Sequence, residues 1–203
     1  MGLASSTAAV RKLPPMPSIA TDEAMLAWHL EVLRIQHGTM VDALSGRRLD
    51  AREDCVQIAT EGVDVDGRPL GVRDAATLSA WLPTLRATGR AACALLTAGP
   101  AAGKTSLMSQ VVIHALNKST ELVPILIKVQ RLQRRLLDHG NEFASSWNWL
   151  DAHLKLEHAD AHPEVYLMLR QALLARRALV LLDGLDEAGT ERDAIERHMA
   201  EVL

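Results

Sequence analysis

Gly103, Lys104 and Thr105 are the residues whose types and order point most directly to chemistry. They close the stretch Ala98-Gly99-Pro100-Ala101-Ala102-Gly103-Lys104-Thr105-Ser106. Polyphosphate oxygens need several backbone N–H donors converging on one point, and a compact turn running into a helix N-terminus supplies them. In that setting Lys104 brings a cation to the β- and γ-phosphates, and the Thr105 hydroxyl is suited to Mg²⁺. A pattern this short arises by chance in about one chain in a hundred of this length, so its flanks must carry part of the weight.

The flanks agree with the motif. Residues 91–97, Ala-Ala-Cys-Ala-Leu-Leu-Thr, form an apolar run that reads as a strand. Downstream, Leu107, Val111, Ala115 and Leu116 recur with helical spacing. Strand, glycine-containing turn and helix give the layout of a phosphate-binding loop. A second carboxylate-bearing stretch complements it. Residues 178–183, Ala-Leu-Val-Leu-Leu-Asp, read as a buried strand ending in Asp183, followed by Gly184-Leu185-Asp186-Glu187. An apolar strand ending in Asp is common and usually structural. Paired with a phosphate-binding loop, it places a carboxylate at the strand's C-terminal end, where ligands of open α/β sheets lie. Asp183 then suits Mg²⁺ opposite Thr105, and Asp186 or Glu187 suits orienting or deprotonating an attacking water.

The remaining elements follow from pattern and punctuation. Residues 1–20 read as a flexible N-terminus, with three prolines among residues 13–20. Thr21 can N-cap a helix with Asp22 and Glu23 in its first turn, and its stripe from Leu26 through Leu30, Leu33, His37, Met40, Val41 and Leu44 predicts an end near Ser45-Gly46. His29 and His37 read as ordinary surface or boundary residues. Residues 55–72 read as a β-hairpin turning at Asp66-Gly67, and residues 74–88 as a helix bent by Pro83. Residues 122–129 predict a buried parallel strand, with Pro124 near its start. Helices are expected over 130–139, 147–157, 163–177 and 191–203, the last capped by Thr190 and Asp193. The Arg131, Arg134, Arg135 cluster reads as a solvated face, and the Trp147/Trp149 pair as an anchor on the core. His158 and His162 would share a metal-binding face only if one helix carried both, and Pro163 argues for a new start.

The loop and the second motif together resemble the NACHT NTPases, a branch of the signal-transducing P-loop ATPases. The resemblance spans about residues 90–190 and rests on Ala98–Thr105-Ser106-Leu107 with Leu181-Leu182-Asp183-Gly184-Leu185-Asp186-Glu187. It implies an α/β fold, a three-layer P-loop NTPase with a parallel sheet of which about three strands are visible. An N-terminal helical and hairpin segment, residues 21–88, precedes that domain, which occupies residues 89–203. It also implies that Ala98, Gly99, Pro100, Ala101, Ala102, Gly103, Lys104, Thr105 and Ser106 hold ATP. Thr105 and Asp183 would hold Mg²⁺, and Asp186 and Glu187 would act on water. The activity implied is slow ATP hydrolysis, with the nucleotide state controlling self-association. Ala98 and Ala101 stand where many family members have Gly, and Pro100 removes an N–H. A sensor strand, helical lid and winged helix would follow Leu203, so the chain reads as the front of a larger protein or a remnant of such a domain.

Two other classes compete with that reading. A catalytic ATPase or nucleotide kinase of another family would need arginines near the phosphates, and Arg131, Arg134 and Arg135 are the clustered ones. A non-catalytic interaction module is the other. Composition narrows the field further. A net charge of −3 gives no electrostatic reason for nucleic-acid binding, and 48% apolar residues suffice for a buried core. Two cysteines, Cys55 and Cys93, offer no disulfide framework and suit a reducing, cytoplasmic compartment. No apolar run approaches the ~18 residues that cross a bilayer. Met1-Gly2-Leu3-Ala4-Ser5-Ser6 fits the N-myristoylation pattern, so membrane association is expected only if Gly2 is lipidated.

Overall fold

The computed structural model describes residues 13–18, 21–42, 45–55, 57–63, 66–71, 73–85, 94–97, 102–117, 122–187 and 189–202. Gly2, the first half of the phosphate-loop motif (98–101) and the start of the run before it (91–93) lie outside those residues. The architecture is mixed α/β. Its centre is a parallel pair, β3 (Val123–Lys128) with β4 (Ala178–Asp183), in register Val123 to Ala178 through Lys128 to Asp183.

Alternation along those two strands sorts the helices into two groups. Val123, Ile125, Ile127, Ala178, Val180 and Leu182 belong to one apolar cluster. They share it with α1 (Asp22–His37), α4 (Val129–Asp138), α6 (Trp149–His158) and α7 (Pro163–Leu174). Leu126, Leu179 and Leu181 belong to a second cluster, formed with α2 (Ala75–Leu85) and α3 (Lys104–Asn117). Period-two side chains thus give the pair two apolar faces, and helices cover both. Pro124, second in β3, is tolerated because the strand's first N–H goes to Arg177 O at 2.7 Å, upstream of the proline.

Helix α1 starts as expected: the Thr21 hydroxyl accepts from Ala24 N at 3.2 Å. Its end is earlier than the stripe predicts. Gly38 is the C-cap, and Thr39–Val41 forms β1, antiparallel to β2 (Arg48–Asp50). Met40 and Val41 continue the helical spacing, but glycine and a β-branched pair favour leaving the helix there. Val41 is mostly exposed, so no buried stripe holds that turn helical. His29 is also corrected. It is buried, and its Nε2–H donates to Pro124 O at 3.0 Å, tying α1 to β3. Burial lowers its pKa despite that bond.

Among the described residues of the expected hairpin at 55–72, antiparallel bridges join Thr60 with Arg73 and Val63 with Pro69. Gly67 takes the φ of +78° that its turn requires. Residues 94–97, expected to be strand, lie in no strand, and Leu95 is 74% exposed. Leu96 packs on the α2/α3 cluster while Leu95 faces solvent, so the run has only one covered side. Helix α4 ends at Asp138, within one residue of the expected 139, and Gly140 opens a short helix, α5 (Gly140–Ser145). Asn148 caps α6, accepting from Asp151 N at 2.7 Å. Trp149 then packs edge-on to Phe143 and stacks on His198, while Trp147 is 48% exposed, so one tryptophan of the pair is the anchor. Helix α6 ends at His158 and α7 begins at Pro163, which puts His158 and His162 on separate elements. The last helix, α8, spans Arg192–Val202 after a 3₁₀ turn at Gly189–Glu191. Thr190 there bonds Glu191 rather than a helix N–H.

Candidate functional site

Two glycines deliver the two halves of the motif. Gly103 has φ +84° and its carbonyl accepts from Leu107 N at 2.9 Å, so α3 begins at Lys104 directly behind the turn. A left-handed φ at that point suits glycine alone among the residues. An added Cβ would also lie 2.6 Å from Ile58 Cδ1. Ile58 comes from the N-terminal segment and packs with Leu107 and Val111 in the α2/α3 cluster. Sequence patterning gave no reason to connect it with the loop, since the contact is long-range. Gly184, at φ +85°, turns the chain out of β4 into a 3₁₀ turn at Leu185–Glu187.

Parallel pairing puts the C-terminal ends of β3 and β4 at one edge, beside the positive end of the α3 dipole. The two halves meet there. The Thr105 hydroxyl donates to Asp183 Oδ1 at 3.1 Å across 78 residues of sequence. Lys104 Nζ lies 3.3 Å from Asp186 Oδ2. The Lys104 side chain is 24% exposed and that of Asp186 58%. Asp186 is held below the usual carboxylate range, first by its own backbone N–H and then by the Lys104 ammonium. Glu187 occupies the same 3₁₀ turn. Ala102, Gly103 and Ser106 lie on the loop and first helical turn as expected, and Ala98, Gly99, Pro100 and Ala101 lie outside the described residues.

Thr105 and Asp183 offer hard oxygen donors, a hydroxyl and a carboxylate, in hydrogen-bond contact. Such a pair fits Mg²⁺, which takes few protein ligands and keeps several waters. Among the described residues no cluster of three or more His, Cys, Asp or Glu is positioned to hold a metal by itself.

The arginines are elsewhere. Arg131 Nη1 lies 2.8 Å from Glu157 Oε1, and Arg135 pairs with the other oxygen of the same carboxylate. Arg135 also donates to His153 O at 3.1 Å. Arg131 and Arg135 thus bind α4 to α6, in place of the wholly solvated face that the sequence suggested; Arg134 is exposed. The signal was available: His153 and Glu157 are four apart on one helix face.

Compared with family models, with curated proteins and with solved structures, the chain has no significant match.

Proposed function

We propose that the chain carries the nucleotide-binding front of a NACHT-type P-loop NTPase, which binds Mg²⁺-ATP and hydrolyses it slowly as a signalling switch. The observation that carries this reading is the Thr105–Asp183 hydrogen bond, which joins the two halves of the motif. Each residue then has a task. The Gly103 turn and the α3 N-terminus receive the phosphates, and Lys104 contributes a cation to them. Thr105 and Asp183 would hold Mg²⁺. When bound, the ion neutralises charge on the β- and γ-phosphate oxygens. Asp186 or Glu187 orients the attacking water and takes its proton as the bond to the leaving ADP breaks. By the resemblance, the nucleotide state governs self-association, in the cytoplasm. No helix among the described residues is long and apolar enough to cross a membrane.

The test is Lys104→Ala in a binding titration with a fluorescent ATP analogue. Loss of a charge-assisted contact worth about 1.5–3 kcal/mol weakens binding about tenfold to a hundredfold. Equal binding by wild type and variant, or none by either, overturns the reading. One observation favours a second reading, a non-catalytic interaction module: residues 94–97, directly before the loop, lie in no strand. Protein purified under native conditions without bound nucleotide would support that alternative. A nucleotide kinase is disfavoured, because Arg131 and Arg135 are engaged by Glu157.

A further inference from the structure

Lys104 and Asp186 are both central to the nucleotide-binding reading, yet in this structure they face each other. Lys104 Nζ is 3.3 Å from Asp186 Oδ2. The ammonium is the more enclosed partner and the carboxylate the more open one, at 24% and 58% exposure. The Asp186 carboxylate is thus open to solvent, while the lysine it faces is largely enclosed. The two residues also differ in anchorage. Lys104 is the first residue of α3, a 14-residue helix. Asp186 sits in a three-residue 3₁₀ turn, entered through Gly184 at φ +85°. Moving that turn disturbs few hydrogen bonds, whereas moving Lys104's backbone disturbs a helix. The neighbouring Arg192 pairs with Glu196 at 2.7 Å, which leaves Lys104 as the cation in direct contact with Asp186 among the described residues.

We propose that Asp186 is the resting counter-ion of Lys104, displaced when a phosphate group arrives, so that nucleotide entry is an exchange of one oxyanion for another on a single lysine. This rests on the nucleotide-binding reading and assigns Asp186 a part in gating it. The carboxylate is open to water, which keeps the exchange inexpensive. Exposed ion pairs are weak enough that the carboxylate reduces apparent affinity only about two- to fivefold. The same contact makes Asp186 a poorer proton acceptor while it stays on the lysine, because the ammonium favours its ionised form. Water activation then falls to Glu187, or to Asp186 only after it has been released.

The experiment uses the full chain and has two arms. In the first, exposed lysines are acetylated without nucleotide and quantified by mass spectrometry, with exposed Lys155 as internal reference. Asp186→Asn should raise labelling of Lys104 about two- to fivefold relative to Lys155, and Asp186→Ser should do the same. Unchanged labelling overturns the proposal, whether or not the protein binds ATP. In the second arm, the fluorescent ATP analogue is titrated into wild type, Asp186→Asn, Lys104→Ala and the double variant. Asp186→Asn should bind about two- to fivefold more tightly, and the gain should vanish in the Lys104→Ala background. A gain of equal size in both backgrounds overturns the exchange, since Asp186 would then only repel phosphate at a distance. Failure of the wild type to bind the analogue overturns the nucleotide-binding reading instead, and the labelling arm still decides the ion pair.

Discussion

Arg135–Glu157 and Lys104–Asp186 are both cation–carboxylate pairs, but their surroundings differ. Glu157 takes two guanidinium groups, and Arg135 adds a bond to the His153 carbonyl, so four residues lock α4 onto α6. Both side chains of that pair are mostly shielded, at 20% and 26% exposure. Burial works against the Glu157 charge, yet Arg135 and Arg131 outweigh it and hold the carboxyl low. In Lys104–Asp186 one ammonium faces a carboxylate that is 58% exposed. Dehydrated, multiply bonded charges are costly to separate and serve as framework, whereas an open pair can exchange its partner for a ligand. Cation–carboxylate pairing by itself does not distinguish scaffold from site. Hydration and the number of partners do.

Acidification should separate the two regions most. Burial, reinforced by Arg135, lowers His153 to about 4; its other charged neighbours are Glu157, Arg131 and His158. Burial also lowers His158 to about 4, among Glu157, His29, His162 and Arg135. In the unfolded chain these histidines titrate near 6.5. Between pH 6.5 and 4 the unfolded chain binds the more protons. Stability is therefore fully present above about pH 6.5 and is lost as pH falls toward 4, on the order of 3 kcal/mol for each histidine. Urea denaturation at pH 7, 5.5 and 4.5 measures this. A flat profile would show that these histidines are solvated and would remove the contrast with the phosphate-loop region.

Glu157→Ala comes next in size. It strands Arg135 in a half-buried position and should cost about 2 kcal/mol, below the value for a fully buried pair because water still reaches both groups. Adding Arg135→Ala should recover part of the loss in a double-mutant cycle. Smallest is the effect of Lys104→Ala on unfolding, within about 0.5 kcal/mol, even as nucleotide binding collapses. A Lys104→Ala loss as large as that of Glu157→Ala would make Lys104 framework and break the comparison.

Which parts were legible follows from how each is held. The apolar runs at β3 and β4 pack against helices on both faces, β3 the more deeply, and are bounded by polar or turn residues, so their limits could be read within one residue. Lys104, Thr105 and Asp183 stood out because phosphate and Mg²⁺ binding would demand such residue types, and the fold does bring Thr105 and Asp183 together. The contacts that shape their neighbourhood were not legible. Ile58 on Gly103 and His29 on Pro124 O are long-range, and no local spacing encodes them. Met40 and Val41 misled because their spacing continued that of α1, while Gly38 stopped the helix. Residues 94–97 misled because an apolar run alone does not guarantee a strand with neighbours to pair with.

The His29–Pro124 bond spans 95 residues, which matters while the chain is being made. Helix α1 leaves the ribosome early, but the strand and helices that cover Met25, Trp28 and Val32 are translated far later. At about 5–20 residues per second, the apolar stripe waits roughly 5–20 s for Pro124 to be added, and longer for α6 and α7. During that interval the apolar stripe of α1 lacks the strand and helices that bury it, so the half of the chain that carries Lys104 and Asp183 can close on α1 only after Pro124 and the later helices have been made.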